Sequence, residues 1–227
     1  PGVPLNFSSV ITFNNVVFHS QDSAGFLVPA GLQIAGNVAL IAEGPLVLVN
    51  GANFGITNAG TFMLVSTSNI SASDGLFGNA SGSAQLKLVA GWNGTVPADP
   101  YNISGYTLGR GGDLLVQNAQ IFSGGTIAVK TAGNVEIYGI STDANINAQG
   151  GSLSMEVAGS INVTNLGAPD AGLLSSCDMT LSLTGSGSRV DVLADTSAGG
   201  PASIVSGGTQ IIDFTAAGTH AVTITGG

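Results

Sequence analysis

The sequence predicts an all-β protein, a right-handed parallel β-solenoid made of stacked coils. Two segments lead to this prediction: GGTIAVKTAGNVEIYG at residues 124–139 and GGSLSMEVAGSINVTN at residues 150–165. In both segments apolar residues alternate with polar ones, which is the period-2 pattern of half-buried strands. The segments recur 26 residues apart. A repeat of this length built from short strands indicates a solenoid, in which each coil buries its apolar face against its neighbours.

The two segments align residue by residue, and weaker copies of the pattern extend along the chain. The aligned pairs are Ile127 with Leu153, Val129 with Met155, Gly133 with Gly159, Val135 with Ile161, and Ile137 with Val163. A third copy is predicted at an offset of 28, with apolar residues at Leu181, Leu183, Val190 and Val192. The N-terminal half has a denser version at Leu32, Ile34, Val38, Leu40, Leu46, Leu48, Phe62 and Leu64. The pattern returns near the end of the sequence at Ile211, Phe214 and THAVTITGG.

The repeat length sets the expected dimensions of the solenoid. Two or three strands of about five residues with glycine or asparagine turns fill a coil of about 20 to 28 residues. We therefore expect residues 1–227 to form a single elongated β domain of about eight to ten coils, about 40 to 50 Å long at 4.8 Å per coil. The alternative is an antiparallel β-sandwich or jelly roll, because turn signals every 8 to 12 residues fit that fold as well.

One segment interrupts the repeat. Residues 76–110 read LFGNASGSAQLKLVAGWNGTVPADPYNISGYTLGR and contain the only tryptophan and two of the three tyrosines. We interpret this segment as a loop-rich insertion. Trp92, Tyr101 and Tyr106 then either cover a local apolar patch or contact a partner such as a glycan.

Composition narrows the classes of partner. Charged residues make up 7% of the chain, against about 25% in a typical soluble domain, and the net charge is −9 with only four basic residues. Nucleic acid is not expected as a partner, because phosphate binding requires several Lys or Arg on one face. The most hydrophobic segment, residues 26–49, is interrupted by prolines, glycines and Glu43. It therefore predicts consecutive buried strands and not a membrane insertion.

The sequence offers little chemistry for catalysis, and we expect no enzyme activity, metal site or cofactor. Polysaccharide-cleaving sites need two or three convergent carboxylates. Here only Asp191 and Asp195 cluster, next to Arg189, and we interpret them as surface residues because Arg189 and Asp191 share one strand face and can form an ion pair. His19 and His220 lie far apart in sequence, with no other ligand at zinc-binding spacing.

Two kinds of modification are predicted from short motifs. N-x-S/T acceptor sequences for glycosylation occur at Asn6, Asn69, Asn79, Asn93, Asn102 and Asn162. The single cysteine, Cys177, has no internal partner for a disulfide. It is either a small buried apolar residue or the site of a disulfide between subunits.

The alternating segments 124–139 and 150–165 resemble the degenerate repeats of filamentous-haemagglutinin-like surface proteins, which have a G-x-hydrophobic-x-hydrophobic pattern. The resemblance extends over about two thirds of the chain, roughly residues 31–74 and 111–195. It implies a secreted or cell-surface prokaryotic protein of the adhesin, filament, sheath or surface-layer type. The resemblance supplies no catalytic residues.

Together these features predict a structural subunit that assembles with copies of itself through strand edges into an extracellular filament, tube, sheath or surface layer. The strand-like text THAVTITGG, which has no charge or proline to cover the end of a solenoid, supports this hypothesis. The alternative is an adhesin-type binding module that recognises a glycan or a cell-surface partner through residues 76–110.

Overall fold

The chain folds into a stack of three-stranded coils. The computed structural model describes residues 11–28, 32–48, 55–56, 60–79, 83–195 and 199–226. The strands of the first four coils are β1 (Ile11–Phe13), β2 (Val16–Ser20), β3 (Phe26–Val28), β4 (Leu32–Ile34), β5 (Val38–Ala42), β6 (Leu46–Leu48), β7 (Gly55–Ile56), β8 (Thr61–Ser66), β9 (Ile70–Ser73), β10 (Leu76–Asn79), β11 (Gln85–Ala90) and β12 (Leu114–Gln117). Those of the next four are β13 (Gln120–Ser123), β14 (Ile127–Thr131), β15 (Val135–Gly139), β16 (Ala144–Ala148), β17 (Leu153–Val157), β18 (Ile161–Asn165), β19 (Ala171–Ser175), β20 (Met179–Leu183), β21 (Arg189–Ala194), β22 (Ala202–Ser206), β23 (Gln210–Phe214) and β24 (Ala221–Thr225).

Every third strand belongs to the same face, so the stack has three faces. Face 1 starts each coil and consists of a three-stranded sheet, β1-β4-β7, followed by a five-stranded sheet, β10-β13-β16-β19-β22. Face 2 is an eight-stranded sheet from β2 to β23, and face 3 is an eight-stranded sheet from β3 to β24. The paired strands of the first and last coils are parallel on each face, as are those between them.

This architecture confirms the all-β parallel β-solenoid, and the antiparallel sandwich alternative is wrong. The two eight-stranded faces give eight coils over the described residues, at the lower end of the expected range. The hydrophobic segment 26–49 contributes the described strands β3 to β6, as predicted. Right-handed coiling stays a prediction from the general preference of parallel crossover connections.

The core is made of columns of apolar side chains that continue from coil to coil. On face 2, Ile127 of β14 pairs with Leu153 of β17, which pairs in turn with Met179 of β20. All three side chains are fully buried, and the three strands that carry them alternate buried with less buried residues. Each inward side chain is therefore covered by its equivalents above and below, and burial of apolar area is the main favourable term.

A ladder of side-chain oxygens stabilises the corner between faces 2 and 3. The Oδ1 atom of Asn69 accepts a hydrogen bond from the Asp113 N–H at 2.9 Å, and Asp113 Oδ1 accepts from the Asn134 N–H at 2.7 Å. Asn134 Oδ1 accepts in turn from the Ser160 N–H at 2.8 Å. Each carboxamide or carboxylate thus satisfies a backbone donor of the following coil at a turn where no strand can do so.

The structure differs from the sequence prediction at the third copy of the repeat. Leu153 pairs with Met179 and not with Leu181, so the predicted offset of 28 is wrong on face 2. On face 3 Ile161 pairs with Val190. The two faces differ because the turn between β20 and β21, residues 184–188, is longer than the turn between β17 and β18.

Replacement of Asn134 by alanine tests the corner ladder. The variant leaves the Ser160 N–H without its acceptor, and we expect the free energy of unfolding to fall by about 1–2 kcal/mol. Asn134→Asp keeps an accepting oxygen and should retain most of the stability. Urea unfolding followed by circular dichroism measures both variants; an alanine variant as stable as the wild type would contradict a stabilising role for the ladder.

Candidate functional site

The loop between β11 and β12 is the largest departure from the coils. It runs from residue 91 to residue 113, so it is shorter than the insertion predicted at residues 76–110, of which β10 and β11 are ordinary coil strands. An antiparallel bridge between Trp92 and Leu108 closes the loop. It also contains a turn of 3₁₀-helix at Ile103–Gly105, capped by the Asn102 side chain, which accepts from the Ser104 N–H at 3.1 Å.

Two aromatic side chains attach this loop to the outside of face 2. Trp92 is 2% exposed and Tyr106 is 0% exposed, and their ring centroids lie 5.9 Å apart in an edge-to-face arrangement. They pack in a second apolar cluster on outward-facing residues of face 2: Ala39, Ile41, Met63, Val65 and Val89. Their polar atoms are satisfied within the loop, since Trp92 Nε1 donates to the Thr95 carbonyl and Tyr106 Oη to the Pro100 carbonyl, each at 2.9 Å.

The buried rings therefore anchor the loop. Tyr101 is half-buried, and the Lys87 ammonium donates to its carbonyl oxygen at 2.9 Å. Burial, followed by the charge of Asp99, raises the pKa of both the Tyr101 and the Tyr106 phenol. Partner binding through Trp92, Tyr101 and Tyr106 stays a prediction, but the two buried rings offer no free surface to a ligand.

The predicted glycosylation acceptors occupy different environments. Asn6 lies outside the described residues, and Asn79 is the last residue of β10. Asn93 and Asn102 are exposed on the loop, where a glycan would project away from the solenoid. Glycosylation of all of these residues stays a prediction.

The remaining two acceptors are part of the coil structure. Asn69 belongs to the corner ladder described above. Asn162 lies on the outer side of face 3, where its Nδ2 atom donates to Glu136 Oε1 at 2.9 Å. Both are half-buried. A glycan on Asn162 would therefore disturb an existing hydrogen bond, which makes the two loop residues the better acceptors.

Cys177 is a free and exposed cysteine in the turn between β19 and β20. The interpretation as a small buried apolar residue is therefore wrong. The structure leaves its thiol at the surface, where a second molecule has access to it. A disulfide between subunits stays a prediction.

The charged residues singled out in the sequence form ordinary surface contacts. Arg189 Nε lies 3.3 Å from Asp191 Oδ2, and the Arg189 side chain is exposed. His19 Nε2 lies 3.0 Å from Glu43 Oε1 on the outer side of face 2. His220 donates from Nε2 to the Ala216 carbonyl at 2.8 Å and stacks on Phe214. No group of three or more His, Cys, Asp or Glu side chains placed to hold a metal occurs in the described part of the chain.

Sequence reasoning missed a cluster at the N-terminal ends of β16 and β19, two neighbouring strands of face 1. Asp143, Asn145 and Asp170 each have a buried side-chain oxygen without a hydrogen-bond partner. Burial and, second, the nearby charge of Asp143 raise the pKa of the Asp170 carboxyl, although the Ala171 N–H opposes the shift. The two aspartates lie in successive coils, and only the turn lengths of those coils determine that they meet.

The last described coil exposes apolar side chains at one end of the stack. Val222 and Ile224 of β24 are 49% and 78% exposed, whereas Val190 and Val192, which they follow in the same columns, are 0% and 5% exposed. A hollow of about 360 Å³ opens at this end between residues of faces 1 and 3, among them Val192, Ala202 and Ile224. This end, defined by β22, β23 and β24, is the candidate functional surface and is called the terminal edge below.

Comparison with known proteins adds no relative. No family model, curated protein or solved structure matches the chain. None of the helices in the described ranges has the length and apolar character needed to cross a membrane.

A Trp92→Ala variant tests the anchoring of the loop. Loss of the indole leaves a cavity over face 2, and we expect a fall of about 3–5 kcal/mol in stability that is concentrated in the loop. Limited trypsin digestion should then cleave after Arg110, an exposed loop residue, faster than in the wild type. Trp92→Phe, which keeps most of the ring packing, should be cleaved more slowly than the alanine variant. Unchanged cleavage at Arg110 in the alanine variant would count against this role.

An Asp170→Asn variant tests the unfavourable carboxylate environment. Because the pKa of Asp170 is raised in the folded state, its ionised form lowers stability above that pKa, and the penalty disappears as the pH falls towards the ordinary value of about 3.9. Without divalent cations, we therefore expect the variant to have a higher Tm than the wild type at pH 7, with the gain vanishing near pH 4. Asp213→Asn, at an exposed position, is the matched control. A gain that does not change with pH would exclude this explanation.

Proposed function

We propose that the chain is a structural subunit that assembles with copies of itself, end to end through the strand edges of the solenoid, into an extracellular filament, tube, sheath or surface layer. The terminal edge is the observation that carries this proposal. Its inward-facing side chains belong to the core columns, yet Val222 and Ile224 are exposed. The resemblance of the repeats to filamentous-haemagglutinin-like surface proteins supports the extracellular, prokaryotic setting.

The apolar cross-section of the terminal edge resembles a solenoid core cut between two coils. On face 1 Ile204 follows the buried Leu173, and on face 2 Ile212 and Phe214 follow the buried Leu181 and Leu183. These three residues of the last coil are only partly buried. Coverage by another apolar coil would bury them as fully as their equivalents, with a gain of about 25 cal/mol per Å² of apolar surface removed from water.

The backbone of the terminal edge offers a second source of affinity. Strands β22, β23 and β24 each have five residues and each pair with one strand only within the described chain. About half of the N–H and C=O groups of a parallel strand point to each side. A net contribution of about 0.5–1.5 kcal/mol for each new hydrogen bond gives several kcal/mol over three strands.

The outward side chains of the first described coil belong to the same columns as those of the terminal edge. On face 2 a single outward column runs through all eight strands from Val17 of β2 to Ile211 of β23. The neighbouring outward column begins at His19 and ends at Asp213. In-phase stacking of two copies places Ile211 beside Val17 and Asp213 beside His19, so apolar meets apolar and a carboxylate meets a hydrogen-bond donor.

The binding-module hypothesis is less well supported by the geometry. It relied on aromatic side chains of the insertion, and two of the three are buried against face 2. Recognition of a glycan by stacking needs an accessible ring face. We therefore regard the loop as a cover for the apolar outside of face 2.

Disulfide trapping tests the assembly and its register. Neighbouring strands lie about 4.8 Å apart, within the Cα separation of about 4.4–6.8 Å that a disulfide requires. In a Cys177→Ser background, Val17→Cys combined with Ile211→Cys should give a ladder of covalent oligomers after mild oxidation. Non-reducing electrophoresis measures it.

A displaced pair provides the matched control. Val17→Cys with Asp213→Cys is offset by two residues along the strand, which places the Cα atoms about 8 Å apart, too far for a disulfide. Oligomers from the control pair alone would retain the assembly but reject the in-phase register. If neither pair gives oligomers and the wild type is monomeric at high concentration in size-exclusion chromatography, the proposed function is rejected.

A further inference from the structure

Three side chains near the N-terminal ends of β16 and β19, on face 1, have a buried oxygen that accepts no hydrogen bond. These oxygens are Oδ1 of Asp143, Oδ1 of Asn145 and Oδ1 of Asp170. Buried polar atoms in folded proteins nearly always have a partner, because an unpaired one costs about 1–3 kcal/mol and a charged one costs more. Three unpaired acceptors on two neighbouring strands therefore favour a cation or a hydrogen-bond donor as their common partner.

The strand register brings these residues together. Asp143 directly precedes β16 and Asp170 directly precedes β19, and these two strands pair with Ala144 opposite Ala171. Asn145 lies two residues after Asp143, so both side chains leave the same side of the strand. Its neighbour on β19 is Gly172, and the Ser203 hydroxyl of β22 lies 2.9 Å from the place that a Cβ of residue 172 would occupy.

The local donors do not neutralise this cluster. Gln120 Nε2 donates to Asp143, but to the Oδ2 atom, at 3.2 Å. The ion pairs of the described chain involve neither Asp143 nor Asp170. Asn145 is only 5% exposed, so bulk water does not solvate its carbonyl. The two carboxylates thus lie in matching positions of successive coils, close in the strand register to a buried amide oxygen and without an ion-pair partner among the described residues.

Oxygen atoms of this kind are the ligands of hard divalent cations. Ca²⁺ accepts carboxylate and amide oxygens in a flexible geometry, whereas Mg²⁺ requires a nearly ideal octahedron and retains its waters. An open depression of about 270 Å³, lined by Asp74, Asn118, Gln120 and Asp143 among others, gives solvent access beside one member of the cluster, Asp143.

We infer that Asp143, Asn145 and Asp170 form a divalent-cation site, selective for Ca²⁺, that links two successive coils at the N-terminal ends of β16 and β19. The site differs from the expectation that the chain holds no metal. Only two of its ligands are charged, so its affinity belongs with the weak extracellular calcium modules, at a Kd of about 10⁻⁴ to 10⁻³ M. The bound cation removes the repulsion between the two carboxylates and stabilises the folded chain.

Titration of the chelator-treated full chain with CaCl₂ tests this site. Isothermal titration calorimetry should give a Kd of about 1 mM or below, and a Ca²⁺ concentration ten times the Kd should raise Tm by about 4 °C. MgCl₂ at the same concentration should raise Tm by less than half as much. Asp143→Asn and Asp170→Asn, which are nearly isosteric, should each lose at least nine-tenths of the Ca²⁺-dependent shift.

Asp74→Asn is the matched control. Asp74 lines the same depression, but its Oδ1 atom already accepts from Asn118 Nδ2 at 3.3 Å, so this variant should keep the full Ca²⁺ response. Loss of the response in the Asp74 variant would show a general charge effect and would overturn the proposal. No Ca²⁺-dependent shift in the wild type would also overturn the proposal. If Asp170→Asn then raises Tm equally with and without Ca²⁺, the two carboxyl groups share a proton instead. The calorimetric Kd and the Tm shift are both measured on dilute monomer, so their outcome does not depend on end-to-end assembly.

Discussion

In-register stacking of parallel strands is the constraint on which the rest of the molecule depends. Each coil contributes one strand to each face, and the inward side chain of that strand is buried by its equivalents one coil above and one coil below. The column Ile127, Leu153 and Met179 shows the arrangement, with all three side chains fully buried. A single coil has no core of its own, so the fold gains stability only by repetition. The proposed assembly extends the same dependence to the last described coil, which another coil would cover.

Polar side chains complement the columns where the chain turns. At corners the strands end and backbone donors of one coil lose their partners in the ladder, and Asn69, Asp113 and Asn134 accept these hydrogen bonds. Extra residues are tolerated at the same places because a longer turn leaves the pairing of the strands unchanged. The loop at residues 91–113 is the largest example, and it packs back on the outside of face 2 through Trp92 and Tyr106. The corners therefore vary in length while the faces stay regular.

Much of the architecture was predictable from alternation and period, and the failures have a common cause. The pairs Ile127 with Leu153 and Val135 with Ile161, aligned by their pattern alone, are neighbours in the ladders. The offset of the third copy was wrong because it depends on the length of one turn. Covering of an apolar patch by Trp92 was one of two alternatives from the sequence, whereas the patch it covers and the meeting of Asp143 with Asp170 were not predictable. Both depend on which residues become lateral neighbours after several turns of unequal length. Sequence period determines the faces, whereas turn length determines which side chains meet at the corners and outside them.

The proposed assembly continues the β-ladders from one molecule to the next. Electron cryomicroscopy of the concentrated full chain, with helical reconstruction, measures it most directly. The eight described coils at about 4.8 Å each predict an axial rise of about 38 Å per subunit, with the strand spacing unbroken across each junction. Separate particles at every concentration, or polymers whose subunits contact one another only through the sides of the solenoid, would contradict it.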